Sequence, residues 1–295
     1  MRIIRGRRPV TRRTFTAYVF LSPFLLLFIT FVVVPTFYGL YISLFNWNPL
    51  LANNRFVGLD NYLQLFTPGT LRSGDFWQSI GAIGLFTLIS VPFLLVVPFA
   101  LALLHNSRSR GAGVFRSIYF APYVLGVGVI GVLWKFLLDS HLGPINAFLN
   151  LFGIGAIPWT VDTPWVWVTL VIVSVWWVMG FNIVVLLAAL KGVRRELYDA
   201  ASVDGAGPWR QMLSVTLPGI RPVILFVTTV TILSAANMFG QSYLITSGGP
   251  GNQTRTAIMY ISDLGLGQNQ MGAASAMSYV MFAFLAIISI VNFRL

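Results

Sequence analysis

The chain has 295 residues, 57% of them hydrophobic and 9% charged, with a net charge of +11. Soluble domains carry about a quarter charged residues, so a water-soluble globule is excluded. The absence of cysteine excludes disulfides and thiolate metal sites and leaves the compartment open.

At the amino terminus, Arg2, Arg5, Arg7, Arg8, Arg12 and Arg13 precede a long apolar run. Arginines so placed set membrane topology and meet anionic lipid; nothing soluble follows that would form a nucleic-acid-binding face. The run exceeds the 7–15 residues of a signal core and lacks a small-residue cleavage site, so it reads as a retained first helix. Six stretches contain no Asp, Glu, Lys, Arg or His: 14–54, 76–104, 117–134, 163–190, 222–254 and 264–293. Each holds the roughly 17–25 apolar residues that cross a bilayer, the third only just. A barrel would show short alternating segments instead. The expected fold is all-α and integral to the membrane, one domain over 1–295. Its spans are expected at 17–44, 79–104, 117–138, 165–190, 221–244 and 272–293.

Pro23, Pro35, Pro92, Pro98 and Pro122 fall inside these spans, where kinking is ordinary. The nearly charge-free stretch 140–161 is not counted as a span. Gly143, Pro144, Gly153, Gly155 and Pro158 would break it, and a short interfacial helix over 144–152 fits better. With both termini inside, only Arg55, Arg72, Lys135 and Arg255 of the nineteen basic residues fall outside. That bias puts residues 191–220, between spans four and five, in the cytoplasm. Trp47, Trp77, Trp134, Trp159, Trp165 and Trp167 then form an outer aromatic belt.

The 191–220 loop divides in two. Residues 194–204 favour helix, with Leu197, Ala200 and Ala201 on one side and Glu196, Asp199 and Ser202 mostly on the other. Gly205-Ala206-Gly207 supplies a turn, Pro208 opens a second helix, and Leu217-Pro218 is expected to stop it before span five. A lipid-seeking helix would carry bulky apolar residues on its first half. Alanine and carboxylates there favour a protein groove. Ala200, Ala201 and Gly205 let a partner's backbone come close.

These residues carry a resemblance. DAASVDG followed by VTLP resembles the cytoplasmic signature of permease subunits of ATP-binding-cassette importers: Glu-Ala-Ala, three residues, Gly, nine residues, Ile-x-Leu-Pro. Here the positions are Asp199, Ala200, Ala201, Gly205, Val215, Leu217 and Pro218, with Asp for Glu and Val for Ile. FVGLDNYLQLF, FRSIYFAPYV and YLITSGGPGNQT are similar to the carbohydrate-importing branch, the maltose-type and glycerol-phosphate-type permeases.

The resemblance implies a type I importer permease in a bacterial-type cytoplasmic membrane, with no catalytic residues of its own. A second, similar permease and two ATPase subunits complete the transporter, and an extracytoplasmic sugar-binding protein delivers the substrate. ATP and Mg²⁺ would be used by the ATPases, which would grip the loop at Glu196, Leu197, Asp199, Ala200, Ala201, Gly205, Leu217 and Pro218. Gly248, Gly249 and Pro250 would face the binding protein. Independently, neither lysine, Lys135 or Lys191, sits in a G-x-x-x-x-G-K-[ST] phosphate loop.

A transported sugar needs polar partners and an aromatic platform near the midplane. Counting about 1.5 Å per residue from Trp165 puts Trp176 and Trp177 near mid-membrane, with Asn182 deeper. Ser234, Asn237 and Gln241 share a helical face if span five continues through them. Ser278 and Tyr279 reach similar depth on span six. The plainer reading of all eight is helix–helix packing. A secondary transporter or facilitator is the alternative function. Proton- or sodium-coupled carriers bury ionisable groups in their spans, and these interiors have none. An enzyme would need clustered catalytic groups, yet His105 and His141 fall on opposite sides.

Overall fold

The computed structural model describes residues 12–51, 54–106 and 112–294. Arg2, Arg5, Arg7, Arg8, Arg108 and Arg110, assigned above to the inner side, lie outside the described residues.

Helix α1 (Arg12–Phe28) continues through a wide π-helical turn, Ile29–Val33, into α2 (Val34–Ile42). Pro35 follows that turn. An opened turn relieves the clash between the proline ring and the carbonyl one turn earlier, so the helix bends rather than ends. A small hairpin, β1 (Phe45–Asn46) against β2 (Arg55–Phe56), and α3 (Asp60–Phe66) lead into α4 (Leu71–Asn106).

The third expected span is not one rod. Helix α5 (Ala112–Val124) and α6 (Val127–Leu137) meet at Leu125-Gly126 with a bend of 98°. Near a right angle, limbs of 13 and 11 residues reach about 25 Å end to end, short of a 30 Å hydrocarbon core. Hydropathy is blind to this bend because both limbs are apolar. Among the described residues, five helices are long and apolar enough to cross a membrane, six if the bent pair counts as one.

Residues 140–161 form no span, as expected. Helix α7 (Pro144–Asn150) is short, and the segment folds around buried Asn146. Its side-chain nitrogen donates to the Ile157 carbonyl at 2.9 Å, and its oxygen accepts from the Ile157 amide and the Trp159 indole. Helix α8 (Trp165–Gly192) is the central rod, about 42 Å long by its 28 residues. At Gly180 a β-carbon would come within 2.3 Å of the Tyr119 carbonyl oxygen, so α5 and α8 touch backbone to backbone.

Helix α9 (Arg195–Val203) and α10 (Pro208–Gln211) form the loop after α8. A second π-turn, Met212–Thr216, joins α10 to α11 (Leu217–Ala236) without a break. Leu217-Pro218 therefore does not stop the helix. The π-turn absorbs Pro218 as its counterpart absorbs Pro35. Helix α11 ends at Asn237, well before the expected 244. A third π-turn (Ser242–Thr246), α12 (Ala257–Ser262), a fourth (Asp263–Gly267) and α13 (Met271–Arg294) complete the chain.

The core lies between α4, α8 and α11. Ala82 and Phe86 pack on Val166 and Leu170 at one end, and Ala102 packs on Leu186, Leu190 and Ile220 at the other. Phe76 joins α4 to Tyr260 and Met277.

Candidate functional site

The structure brings two constellations together, one within the helices and one at the α9 end.

Within the helices a cavity of about 710 Å³ lies among α4, α5, α8, α11 and residues 238–241. Two interrupted helices frame it. One break is Leu125-Gly126, and the other begins at Asn237, where the α11 backbone leaves helical geometry. A broken helix leaves carbonyls without partners, which in an apolar setting must be met by side chains. The Trp177 indole does this, donating to the Leu125 carbonyl at 3.2 Å. The second segment returns close enough to α6 that a β-carbon on Gly240 would come within 2.3 Å of Val127.

Of the eight sequence-chosen residues, Trp177, Asn182, Ser234, Asn237 and Gln241 line this cavity. Ser234, Asn237 and Gln241 converge although no single helix face carries all three. Trp176 points elsewhere, packing edge-on against Trp134 at 5.4 Å in a separate cluster. Asn182 is 1% exposed and donates to the Leu94 carbonyl at 2.8 Å. That carbonyl lies four residues before Pro98, which has no N–H to give it. Asn182 thus meets the carbonyl that Pro98 leaves unpaired in α4, while also lining the cavity.

Ser278 and Tyr279 line two smaller hollows instead. One, of about 250 Å³, is shared by Asn237 and Ser278. The next, of about 410 Å³, is lined by Thr36, Gly39, Ser275, Ser278, Tyr279 and Phe282. Asn237 and Ser278 therefore link three hollows in series. The Tyr279 hydroxyl donates to the Thr36 carbonyl and ties α13 to α2.

Sequence reasoning missed Tyr123, Ser174, Phe181 and Thr231 in the main cavity. Phe181 stacks on Tyr123 with ring centres 5.6 Å apart, and the buried Ser174 hydroxyl has no hydrogen-bond partner among the described residues. Periodicity carries a signal for Ser174 and Phe181. They lie three residues before and four after Trp177, on its face of α8.

Gly248-Gly249-Pro250 forms a braced turn with Gly248 at a φ of 80°. The Thr254 hydroxyl donates to the Gly249 carbonyl at 2.7 Å, and Ser242 donates to the Thr254 carbonyl. Nearby, Arg255 pairs with Asp263 at 2.9 Å and lies over the Tyr260 ring. Burial raises the pKa of the Tyr260 hydroxyl, so it stays neutral. Past α6, Asp139 accepts the Leu142 amide at 2.8 Å and the His141 amide at 2.9 Å, which holds its pKa below the ordinary 3.8.

At the α9 end the expected helix, turn and second helix are all present. Glu196 sits in the first turn of α9, where the helix dipole favours a carboxylate. Gly205 has a φ of 74°, a left-handed conformation that closes the helix while Ala206 donates back to the Ala201 carbonyl at 2.9 Å. Gln211 on α10 donates to the Ser202 hydroxyl and the Ala206 carbonyl, both at 2.9 Å. Tyr198 and Thr216 share a 2.9 Å hydrogen bond. These bonds tie α9 to α10 and to the π-turn that leads into α11. Its outer surface is uncovered: Glu196, Leu197, Asp199 and Ala200 are exposed, Val203 is 88% exposed and Trp209 69%.

A bundle of apolar helices around a cavity lined by uncharged residues, with one short braced helix uncovered at its end, has the form of a membrane permease. Residues 65–295 match the family of binding-protein-dependent transport system inner membrane components, and the chain belongs to that family. It is a permease subunit of an ABC importer. It is 32% identical to the arabinooligosaccharides transport system permease protein AraP of Halalkalibacterium halodurans, covering 94% of this chain and 86% of the relative. It is 31% identical to the sn-glycerol-3-phosphate transport system permease protein UgpA of Pectobacterium atrosepticum, over 97% and 96%. The fold is shared with a bacterial alginate ABC transporter solved in complex with an alginate pentasaccharide-bound periplasmic protein. The TM-score is 0.80 at 22% identity, covering 95% of this chain and 93% of that one.

Proposed function

We propose that this chain forms half of the pore of an ATP-driven importer that carries a sugar into the cytoplasm by alternating access. A second, similar permease forms the other half. Two ATPase subunits bind and hydrolyse ATP with Mg²⁺, and an extracytoplasmic binding protein delivers the sugar at the Gly248-Gly249-Pro250 end. The chain itself binds no cofactor or metal and catalyses nothing. It resides in a bacterial-type cytoplasmic membrane with both termini inside, a reading supported by the charge bias and by counting the bent pair α5–α6 as one crossing.

The observation that carries this reading is the continuity of one rod. From Pro208 to Ala236 the helix runs 29 residues, about 43 Å, from the uncovered loop to the edge of the cavity. An ATPase groove that takes Glu196, Leu197, Asp199, Ala200 and Ala201 grips α9. Gly205 gives the turn, and Leu217 and Pro218 carry the displacement into α11. Its far end is Asn237, where the cavity wall changes direction. Trp177 offers a ring face to the sugar, while Ser234, Asn237 and Gln241 offer hydrogen bonds. Ser278 and Tyr279 line the hollows beyond. Asn182 and Trp176 hold the helices that shape the site.

The test is gentle extraction of the tagged chain from its own membranes, identification of what co-purifies, and uptake in liposomes. Co-purification of a second permease and a P-loop ATPase, with uptake that needs ATP, supports the assignment. A chain that comes out alone and moves solute without ATP overturns it in favour of a facilitator or secondary transporter.

A further inference from the structure

The fold does not distinguish a neutral sugar from an acidic one. It is shared by proteins named for arabinooligosaccharides, for glycerol 3-phosphate and for alginate, the last two anionic. The cavity makes the distinction. Resting on the sugar-importer reading, we infer that the substrate of this chain is an uncharged sugar and that acidic sugars and sugar phosphates are rejected.

Three observations carry the inference. First, none of the residues lining the main cavity or the two hollows that follow it is Asp, Glu, Lys, Arg or His. Basic residues on α5, α6, α8 and α11 lie about two turns or more along the helix from the lining. The nearest along the chain are Arg116, seven residues before Tyr123 on α5, and Lys135, eight past Val127 on α6, about 10 and 12 Å along the rods; Lys191 and Arg221 each lie nine residues, about 14 Å, from the lining residues Asn182 and Val230. An anion here would leave water with no counter-charge, which a low-dielectric site penalises heavily.

Second, besides Trp177 and Asn182, which already bond the Leu125 and Leu94 carbonyls, the polar side chains present are Tyr123, Ser174, Thr231, Ser234, Asn237 and Gln241. Each both donates and accepts, which matches sugar hydroxyls that do the same. A carboxylate or phosphate accepts only and would leave half of this set unmatched. The Ser174 hydroxyl, buried and without a partner, is free to take such a bond.

Third, the backbone dipoles do not substitute for a cation. The carboxyl ends of α5 and α11 border the cavity at Tyr123 and Asn237, against two amino ends, that of α6 at Val127 and that of the helical segment resuming at Gly240. Carboxyl ends carry partial negative and amino ends partial positive charge, so the two pairs offset and leave no net positive field for an anion.

The experiment uses the whole transporter, both permeases and both ATPases, in vesicles with its binding protein. Vesicles take up solute from one mixture of lactose, trehalose, arabinotriose, alginate trisaccharide, glycerol 3-phosphate and free amino acids, with and without ATP. Mass spectrometry reads what accumulates. The expected result is ATP-dependent accumulation of a neutral sugar with at least roughly a hundredfold preference over either anion. Accumulation of alginate trisaccharide or glycerol 3-phosphate at a comparable rate overturns the inference and leaves the importer reading intact. Accumulation of amino acids alone, or of nothing that depends on ATP, overturns the sugar reading beneath it.

Discussion

Around Gly205 the chain folds as helix, turn and helix whose polar groups bond within the loop itself, Gln211 to Ser202 and Ala206, Tyr198 to Thr216. Around Asn237 the helix stops inside the bundle, and the groups left over are met by distant elements, as Trp177 meets Leu125 across 52 residues. The first region is rigid in itself and uncovered outside. The second holds its shape only through its neighbours. A rigid piece suits transmission of a push, and an interrupted one suits a change of shape, so the two belong at opposite ends of one rod.

Four perturbations test this contrast. The largest effect is expected from Gly180→Ala. Its β-carbon would meet the Tyr119 carbonyl at 2.3 Å, and backbone yields poorly, so the cost is about 3 kcal/mol or more. Thermal unfolding in detergent reads it; an unchanged midpoint means that α5 and α8 separate freely.

Asn182→Leu comes next. It strands the buried Leu94 carbonyl and costs about 1–2 kcal/mol. Adding Pro98→Ala restores an N–H for that carbonyl and should recover most of the loss. If the double variant is no more stable than the single, Asn182 does something other than meet the carbonyl that Pro98 leaves unpaired.

Gly205→Val has open space around it but must adopt a left-handed backbone, at about 1–3 kcal/mol. The strain falls on the loop alone. Membrane insertion should change little and the unfolding midpoint should fall less than in Gly180→Ala, while ATP-driven transport drops roughly tenfold or more. Normal transport with normal ATP coupling would remove the loop from the mechanism.

The smallest effect concerns the turn after α6. Its carboxylate has a depressed pKa in the folded state, so its stabilising contribution is present above the ordinary 3.8 and lost as the pH falls below it. Mobility of a spin label at His141→Cys, the only thiol in the chain, should rise only as the pH falls below 3.8. It should stay flat in an added Asp139→Ala background.

The loop was readable in the residues because its signals are local: Gly205 for a left-handed turn, Pro208 for a helix start, and the carboxylate of Glu196 in the first turn of α9. Spans four and six were readable because length and hydropathy suffice for straight rods. The bend at Leu125-Gly126 escaped because its neighbours are apolar either way, although Pro122, Gly126 and Gly128 hinted at a weak point. The end of α11 escaped because no glycine or proline marks Asn237. Helix face counting placed Gln241 with the right companions through the wrong geometry. The role of Asn182 was out of reach, since it depends on a proline 84 residues earlier whose lost N–H leaves Leu94 to be met. Pro218 misled because a stop was expected where a π-turn lets the helix continue.

The hydrogen bond from Trp177 to Leu125 has an optical consequence. An indole emits at a wavelength set by its surroundings, and this one is tied to the backbone at the point where the bent helix turns. Any rearrangement that moves α6 away from α8 must release it. Nine tryptophans contribute to the total light, but the difference between the native chain and Trp177→Phe isolates this one. The pore thus carries its own lamp, and its movement can be followed in real time without attaching a dye.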